Sequence, residues 1–423
     1  MWIRPALLDL TYCTNIHSGE SWSEVRANVE NYALALKDLL SPQGPFGIGL
    51  RLSAAAAEEL LHADRLDEFK TFLDSHGLYV AVLNGFPFGS FNSGIVKSQV
   101  FAPDWLQPAR VAYTLNLIGI LQQLLPQNID GGISTMPLSY KPWMNRAGSE
   151  SNNWQQIVGN LVQVVEALVR VRRETGKTIH IDIEPEPDGL VERSDELIGF
   201  FEGPLTRIGV PLLANTLGIS EPESRRHILN HLRVCFDTCH LSVEFEDPIH
   251  SLKILGEHGI GVGRIQISSA LHVSFGKAPE VRERILSQLR SFAESVYLHQ
   301  VIERSAGGSL RNYSDLTNAL ASPQRSTAEE WRIHYHVPLF IDKYGLLSSN
   351  QQANREVLSA VMNSGITSHL EIETYTWDVL PAPLKLDILS SIAREYQWVL
   401  SEVGFSSSKS DVALLQWDSV LNA

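Results

Sequence analysis

The sequence predicts an α/β protein built as a single (β/α)8 barrel, and three observations carry that prediction. Apolar or alternating stretches of strand length recur eight times, helix-period segments separate them, and the later strand-like stretches place polar groups on one face only. The 423 residues would hold two or three average domains, but single barrels with insertions reach this length. The strand-like stretches lie near residues 7–14, 46–52, 79–85, 131–136, 178–184, 233–239, 263–268 and 369–375. The first helix opens on the capping box Ser21-Trp22-Ser23-Glu24, continues with Val25, Val29, Tyr32, Leu36 and Leu39 on one face, and is stopped by Pro42 and Gly44. Amphipathic segments follow near 54–74, 104–125, 152–174, 194–202, 222–231, 248–257, 279–295 and 384–402. The alternation breaks once, at about 297–345, where strand-like stretches at Tyr297–Arg304 and Trp331–Phe340 flank a polar one; this reads as an insertion after strand seven. The barrel is expected to span residues 1–405, with a Ser-rich and then weakly apolar tail at 406–423.

Composition excludes some functions. With 34 Lys and Arg against 48 Asp and Glu the formal charge is −14, and no basic cluster interrupts it, so nucleic acid is not an expected partner. The sequence never strings together the roughly 18 uncharged apolar residues of a membrane span, and residues 1–10 lack the long apolar region of a secretory signal. Three cysteines, Cys13, Cys235 and Cys239, fit a reducing cytoplasm and buried core thiols better than a disulfide framework or a structural zinc site.

Strands five to eight carry the chemistry. In strand five Ile179, Ile181 and Ile183 share one face while His180, Asp182 and Glu184 share the other. A barrel strand has no solvent face, so the isoleucines meet the helices and the carboxylates point inward, where an unpaired charge costs several kcal/mol. Strand six aims Cys235, Asp237 and Cys239 inward, strand seven Arg264, Gln266 and Ser268, and strand eight Glu371 and Glu373. Two layers result. Arg264 neutralises Asp182 and Glu371 in the lower one. Glu184, Asp237, Gln266 and Glu373 at the strand ends have no such partner, and a divalent cation, Mg²⁺ or Mn²⁺, or Zn²⁺ where histidine joins, would supply it; an internal salt-bridge layer is the alternative. His240, His272, His334 and His336 follow the same strand ends and point to ligation or proton transfer.

The run Phe236-Asp237-Thr238-Cys239-His240, with Glu184 and the pair Glu373-Thr374, resembles the xylose isomerase-like TIM-barrel superfamily, which includes sugar isomerases, epimerases and the zinc nuclease endonuclease IV. Residues 12–17 (YCTNIH), 84–89 (NGFPFG), 183–187 (IEPEP) and 371–377 (EIETYTW) further resemble its EboE branch, associated with metabolite-traffic gene clusters. The resemblance spans nearly the whole barrel. It implies metal ligation by Glu184, Asp237 and Glu373, with His240 as ligand or substrate contact, and association with other proteins of such a cluster. Where the epimerases and the nuclease place a strand-seven histidine this chain has Gln266, a weaker ligand that favours hard cations, while His336 with His334 resembles the nuclease's later Asp-x-His pair and would restore an imidazole.

The expected function is a metal-dependent isomerase or epimerase of a sugar or cyclitol, phosphorylated or not, working through an enediolate with Glu184 and Glu373 as the proton-transfer pair. The second reading is a catalytically silent metabolite carrier; metal-assisted phosphoester hydrolysis is disfavoured by the charge. Expected substrate contacts are His17, Asn84, Glu186, His272, His334 and Trp377, with Trp22, Trp105 and Trp143 as further stacking walls or loop packing. Lys97, Arg110, Lys141 and Arg146 are the cations that would counter an anionic substrate.

Overall fold

The computed structural model describes residues 1–3, 8–89, 91, 96–144, 150–276, 278–322, 328–381 and 387–404, so the tail expected at 406–423 and Arg146 lie outside the described residues. All eight expected strands form: β1 (Leu8–Tyr12), β2 (Phe46–Arg51), β3 (Leu78–Asn84), β4 (Gly131–Thr135), β5 (Ile179–Ile183), β6 (Leu232–Asp237), β7 (Val262–Ile267) and β8 (His369–Ile372). They pair in parallel in the order β1-β8-β7-β6-β5-β4-β3-β2, and a parallel bridge from Cys13 to Gly49 returns β2 to β1 and closes the barrel. The short strand Trp2–Ile3 pairs antiparallel with β1. The helices between the strands take up the outward apolar faces, with Ile179, Ile181 and Ile183 wholly buried. The capping box at Ser21 forms as expected, with Glu24 N donating to Ser21 Oγ at 3.3 Å and Ser21 N to Glu24 Oε2 at 2.9 Å.

The inserted element is a six-stranded antiparallel sheet in the order Leu310–Tyr313, Val301–Ser305, Ala328–Ile333, Leu271–Ser274, Leu347–Ser349, Lys343–Tyr344. It begins directly after β7, well before residue 297. The strand expected to reach Phe340 ends at Ile333; beyond it His334 N donates to Gln300 O and Val337 N to Ser269 O, and Pro338, lacking an N–H, cannot extend a ladder. This carries residues 334–337 off the sheet and into the barrel mouth.

One helical run, Ser194–Leu217, is long and apolar enough to cross a membrane by length and composition. Half of that stretch is buried, and it packs on the helices Glu150–Thr175 and Glu221–His231, so its apolar face belongs to the barrel's outer layer.

The barrel axis is charged. Arg264 donates to Asp182 Oδ2 (3.4 Å), Glu371 Oε2 (3.0 Å) and Leu83 O (2.9 Å), all three charged groups being inaccessible to solvent. Room for these groups comes from glycine, because a Cβ at Gly49 would overlap Glu371 Oε1 and one at Gly263 would overlap Asp182 Oδ1. Below them His180 Nδ1 lies 2.5 Å from Asp182 Oδ1, while Asp130 is paired by Arg233 (2.8 Å) and His369 (3.2 Å), so the floor of the barrel is internally compensated.

Candidate metal centre and active site

The parallel ladder itself places the upper acids. Glu184 N donates to Thr135 O (3.0 Å) and Glu373 N to Ile267 O (3.1 Å), which continues the ladder one residue past β5 and β8 and turns both side chains over the barrel mouth. Asp237 closes β6 and is the N-cap of the short helix Thr238–Val243. Its Oδ1 accepts from Cys239 N (2.7 Å), His240 N (3.1 Å) and Ser268 Oγ (2.6 Å), which leaves Oδ2 buried with no hydrogen-bond partner. Ligand oxygens of Glu184, Asp237 and Glu373 all lie within 4.8 Å of one another.

Three imidazoles extend this row. His240 Nδ1–H donates to Pro185 O (2.9 Å), His336 Nδ1–H to Glu373 O (2.8 Å) and His334 Nδ1–H to Gln300 Oε1 (2.8 Å), with Gln300 itself fixed by donating to Pro187 O (3.0 Å). An acceptor on each Nδ1 leaves the Nε2 lone pair as the free donor, the arrangement metal-binding histidines use. Nε2 of His334 and of His336 are buried without partners, as are Glu184 Oε2 and Glu186 Oε2. Three further triads of this row form within 4.8 Å, Asp237-His240-His336, Glu186-His240-His334 and Cys239-His334-His336, so Asp237, His240, His334 and His336 each belong to two neighbouring sets.

Electrostatics point the same way. Burial, then the charge of Asp237, pushes Glu184 well above the ordinary carboxylate range; burial and the charges of Glu184 and Asp237 do so for Glu186 and Glu373. Asp237 resists its burial because His240, His336 and the Ser268 hydroxyl favour its ionised form, and it lies below the usual range. Burial lowers His336 to about 4 and holds His334 well below its ordinary value, so both imidazoles are neutral and available to ligate. Orphaned carboxylate oxygens and neutral imidazole nitrogens converging in a dry site fit a divalent cation.

A cavity of about 40 Å³ opens beside this row, lined by Asn15, Asn84, Phe86, Pro87, Phe91, Val100, Glu184, Glu186, His240, His334, Glu373 and Tyr375. Of the expected substrate contacts, Asn84, Glu186 and His334 therefore reach it. Three do not line it. His17 stacks on Tyr32 (4.1 Å) and meets Tyr12 OH (3.2 Å), His272 lies on the inserted sheet with Nε2 on Ser242 Oγ (2.8 Å), and Trp377 packs against Phe340. Gln266, the strand-seven amide, has its carbonyl oxygen accepting from the Cys235 thiol (3.0 Å). The expected cations are engaged as well: Lys97 with Asp315 (2.6 Å), Lys141 with Glu192 and Glu196, and Arg110 with the carbonyls of Gly85, Phe86 and Pro103. Sequence reasoning missed Asn15 and Tyr375. Asn15 Nδ2 donates to Glu373 Oε1 at 2.8 Å, beside Asn84 Nδ2 at 3.4 Å, and Tyr375 packs on His336, Phe91 and Tyr297. Each sits two residues from a position the sequence did single out, so the signal was alternation continued past the strand ends.

No protein-family model and no curated protein matches the sequence. Among solved structures, the chain is similar to a xylose isomerase-like TIM barrel protein from Mycobacterium smegmatis in complex with magnesium (12% identity, 96% of this chain and 98% of that one, TM-score 0.47). It is also similar to the IolI protein with a bound zinc atom (12%, 95% and 100%, TM-score 0.46) and to the probable 3-DHS dehydratase AsbF of Bacillus anthracis (12%, 93% and 99%, TM-score 0.44). At such identities the barrel is established by the chain's own strand order.

Proposed function

We propose that the chain is a divalent-cation-dependent isomerase or epimerase that moves a proton on the carbon beside a carbonyl of a polyhydroxy compound. The observation behind this reading is the row of buried, partnerless ligand atoms on Glu184, Asp237, His334 and His336, completed by Glu373, at the C-terminal ends of a closed barrel. Glu184, Asp237 and Glu373 would hold one cation, and His240, His334 and His336 with Glu186 offer a neighbouring locus. When bound, such an ion supplies Lewis-acid stabilisation of the oxygen that gains charge as the α proton leaves.

The chain's own residues provide the proton transfers. Glu184 Oε2 has no hydrogen-bond partner, and Glu184 lines the cavity, so this oxygen is available to accept the proton. Glu373 faces the same cavity from three strands away around the closed sheet, its Oε1 oriented by Asn15 and Asn84. Two carboxyls approaching one carbon from different strands suit removal on one face and return on the other. The test is NMR in deuterated water with ketoses and cyclitol ketones in the presence of Mn²⁺ or Zn²⁺. Exchange beside the carbonyl is expected, and its loss in both Glu184→Gln and Glu373→Gln with metal still bound supports the roles. A compound that binds tightly yet exchanges nothing, with affinity unchanged in both variants, points instead to a metabolite carrier.

A further inference from the structure

The cavity of about 40 Å³ is small and takes the reacting end of a substrate, so the remainder must extend beyond it. Directly beside it runs a groove of about 550 Å³, and Pro87 and Val100 line both spaces. The groove's other walls are Phe88, Gly89, Val96, Ala102, Pro103 and Ala109, with Gln99 and Gln107 as its polar members. Among the described residues no Lys or Arg lines either space, whereas three glutamates line the cavity. Lys97, the nearest ammonium in sequence, is tied to Asp315 and to Tyr297 O (2.6 Å each), and Arg110 donates Nη1 to the carbonyls of Gly85 and Phe86, keeps Nη2 buried without a hydrogen-bond partner, and lines neither space.

From these facts we infer that the substrate is a neutral molecule in two parts: a small hydroxycarbonyl head for the cavity and an uncharged, largely apolar arm that lies in the groove. A phosphate in the groove would meet apolar walls with no Lys or Arg among the described residues to receive it, and in the cavity only a bound metal ion, already held by carboxylates, could offset the three glutamates. An apolar arm would instead exchange water for the faces of Pro87, Phe88, Val100 and Pro103. The inference rests on the function proposed above in one respect, that the reacting end binds at the cavity.

The experiment is calorimetric titration of the full chain, saturated with Mn²⁺, using hydroxyacetone and its α-hydroxyketone homologues with progressively longer straight alkyl arms, and dihydroxyacetone beside its phosphate. Affinity is expected to rise about threefold per added methylene until the groove is filled, and dihydroxyacetone is expected to bind more tightly than its phosphate. Ala109→Trp, an exposed groove position outside the cavity, is expected to abolish the gain with arm length while leaving hydroxyacetone unchanged. Affinity independent of arm length, or a preference for the phosphate, overturns the inference. Failure of the two readings is distinguishable: arm-dependent binding without deuterium exchange refutes the proton-transfer function alone, and exchange without arm dependence refutes the two-part substrate alone.

Discussion

Two layers of the same barrel interior make an instructive pair. Asp182, Arg264 and Glu371 in the middle, and Glu184, Asp237 and Glu373 above them, come by the same alternation from strands β5 to β8, β5 and β8 giving one acid to each layer, and all are buried. The middle layer holds two acids and one guanidinium within 3.4 Å, with a further backbone acceptor. The upper layer holds three acids with no Lys or Arg among their hydrogen-bond partners in the described residues; a buried oxygen without a partner occurs in both layers, on Glu184 and Asp237 above and on Glu371 in the middle. Burial of acids is therefore not what marks the functional layer. A missing counter-charge is.

The largest effect that separates the layers is expected from Arg264→Leu, which strands Asp182 and Glu371 and should cost about 3 to 5 kcal/mol in urea unfolding. Adding Asp182→Asn and Glu371→Gln should restore most of it, since the whole triad then leaves together. In the upper layer the sign reverses: removing an acid relieves repulsion, so metal-free Asp237→Asn should be no less stable than the parent. The parent alone should gain about 2.7 kcal/mol from Mn²⁺ or Zn²⁺ at a hundredfold excess over its dissociation constant, read as a thermal shift that the variant lacks.

A smaller loss, about 1 to 3 kcal/mol, is expected from Gly49→Ala, whose Cβ would intrude on the Glu371 carboxylate while leaving the upper acids untouched. Metal affinity by titration should be unchanged in that variant. A further effect concerns pH. Glu395, buried behind β8 and accepting from Thr374 Oγ1 (2.7 Å) and Leu339 N (3.1 Å), is pushed up to about 8 by burial. The folded state thus keeps a proton that the unfolded chain releases near 4.5, so this group's contribution falls as pH rises from about 4.5 to about 8. Glu395→Gln should flatten that part of the stability profile measured with the metal site saturated.

The barrel was legible because period-two alternation in Ile179–Ile183 and its counterparts survives as inward and outward faces in the structure. The acids of the site followed from the same rule, as did Arg264 as their lower-layer partner. The inserted sheet was less legible: Leu271–Ser274 is too short to announce a strand, and only its pairing with Arg332 and its neighbours makes it one. Gln266 illustrates the remaining limit. Its position was predictable, but which oxygen a neighbour such as Cys235 claims depends on rotamers that spacing does not encode. Trp377 and Tyr375 differ in the same way, both near a strand end but only one turned to the cavity.

The six-stranded insertion has a consequence for the order in which the molecule assembles. Glu184, Asp237 and Glu373 belong to the barrel, whereas His334 and His336 arrive from a chain segment leaving the inserted sheet, held by Val337 N on Ser269 O and His336 Nδ1 on Glu373 O. A nascent barrel whose insertion has not docked therefore has a wet, acidic mouth with His240 as the imidazole of the row that the barrel itself supplies. Docking is the event that dries the acids and delivers the nitrogens together, and it closes contacts between residues far apart in sequence, the slow kind to form. An ion bound by donors from both elements would act during folding as a latch on that late step, slowing release of the inserted sheet more than it speeds closure of the barrel.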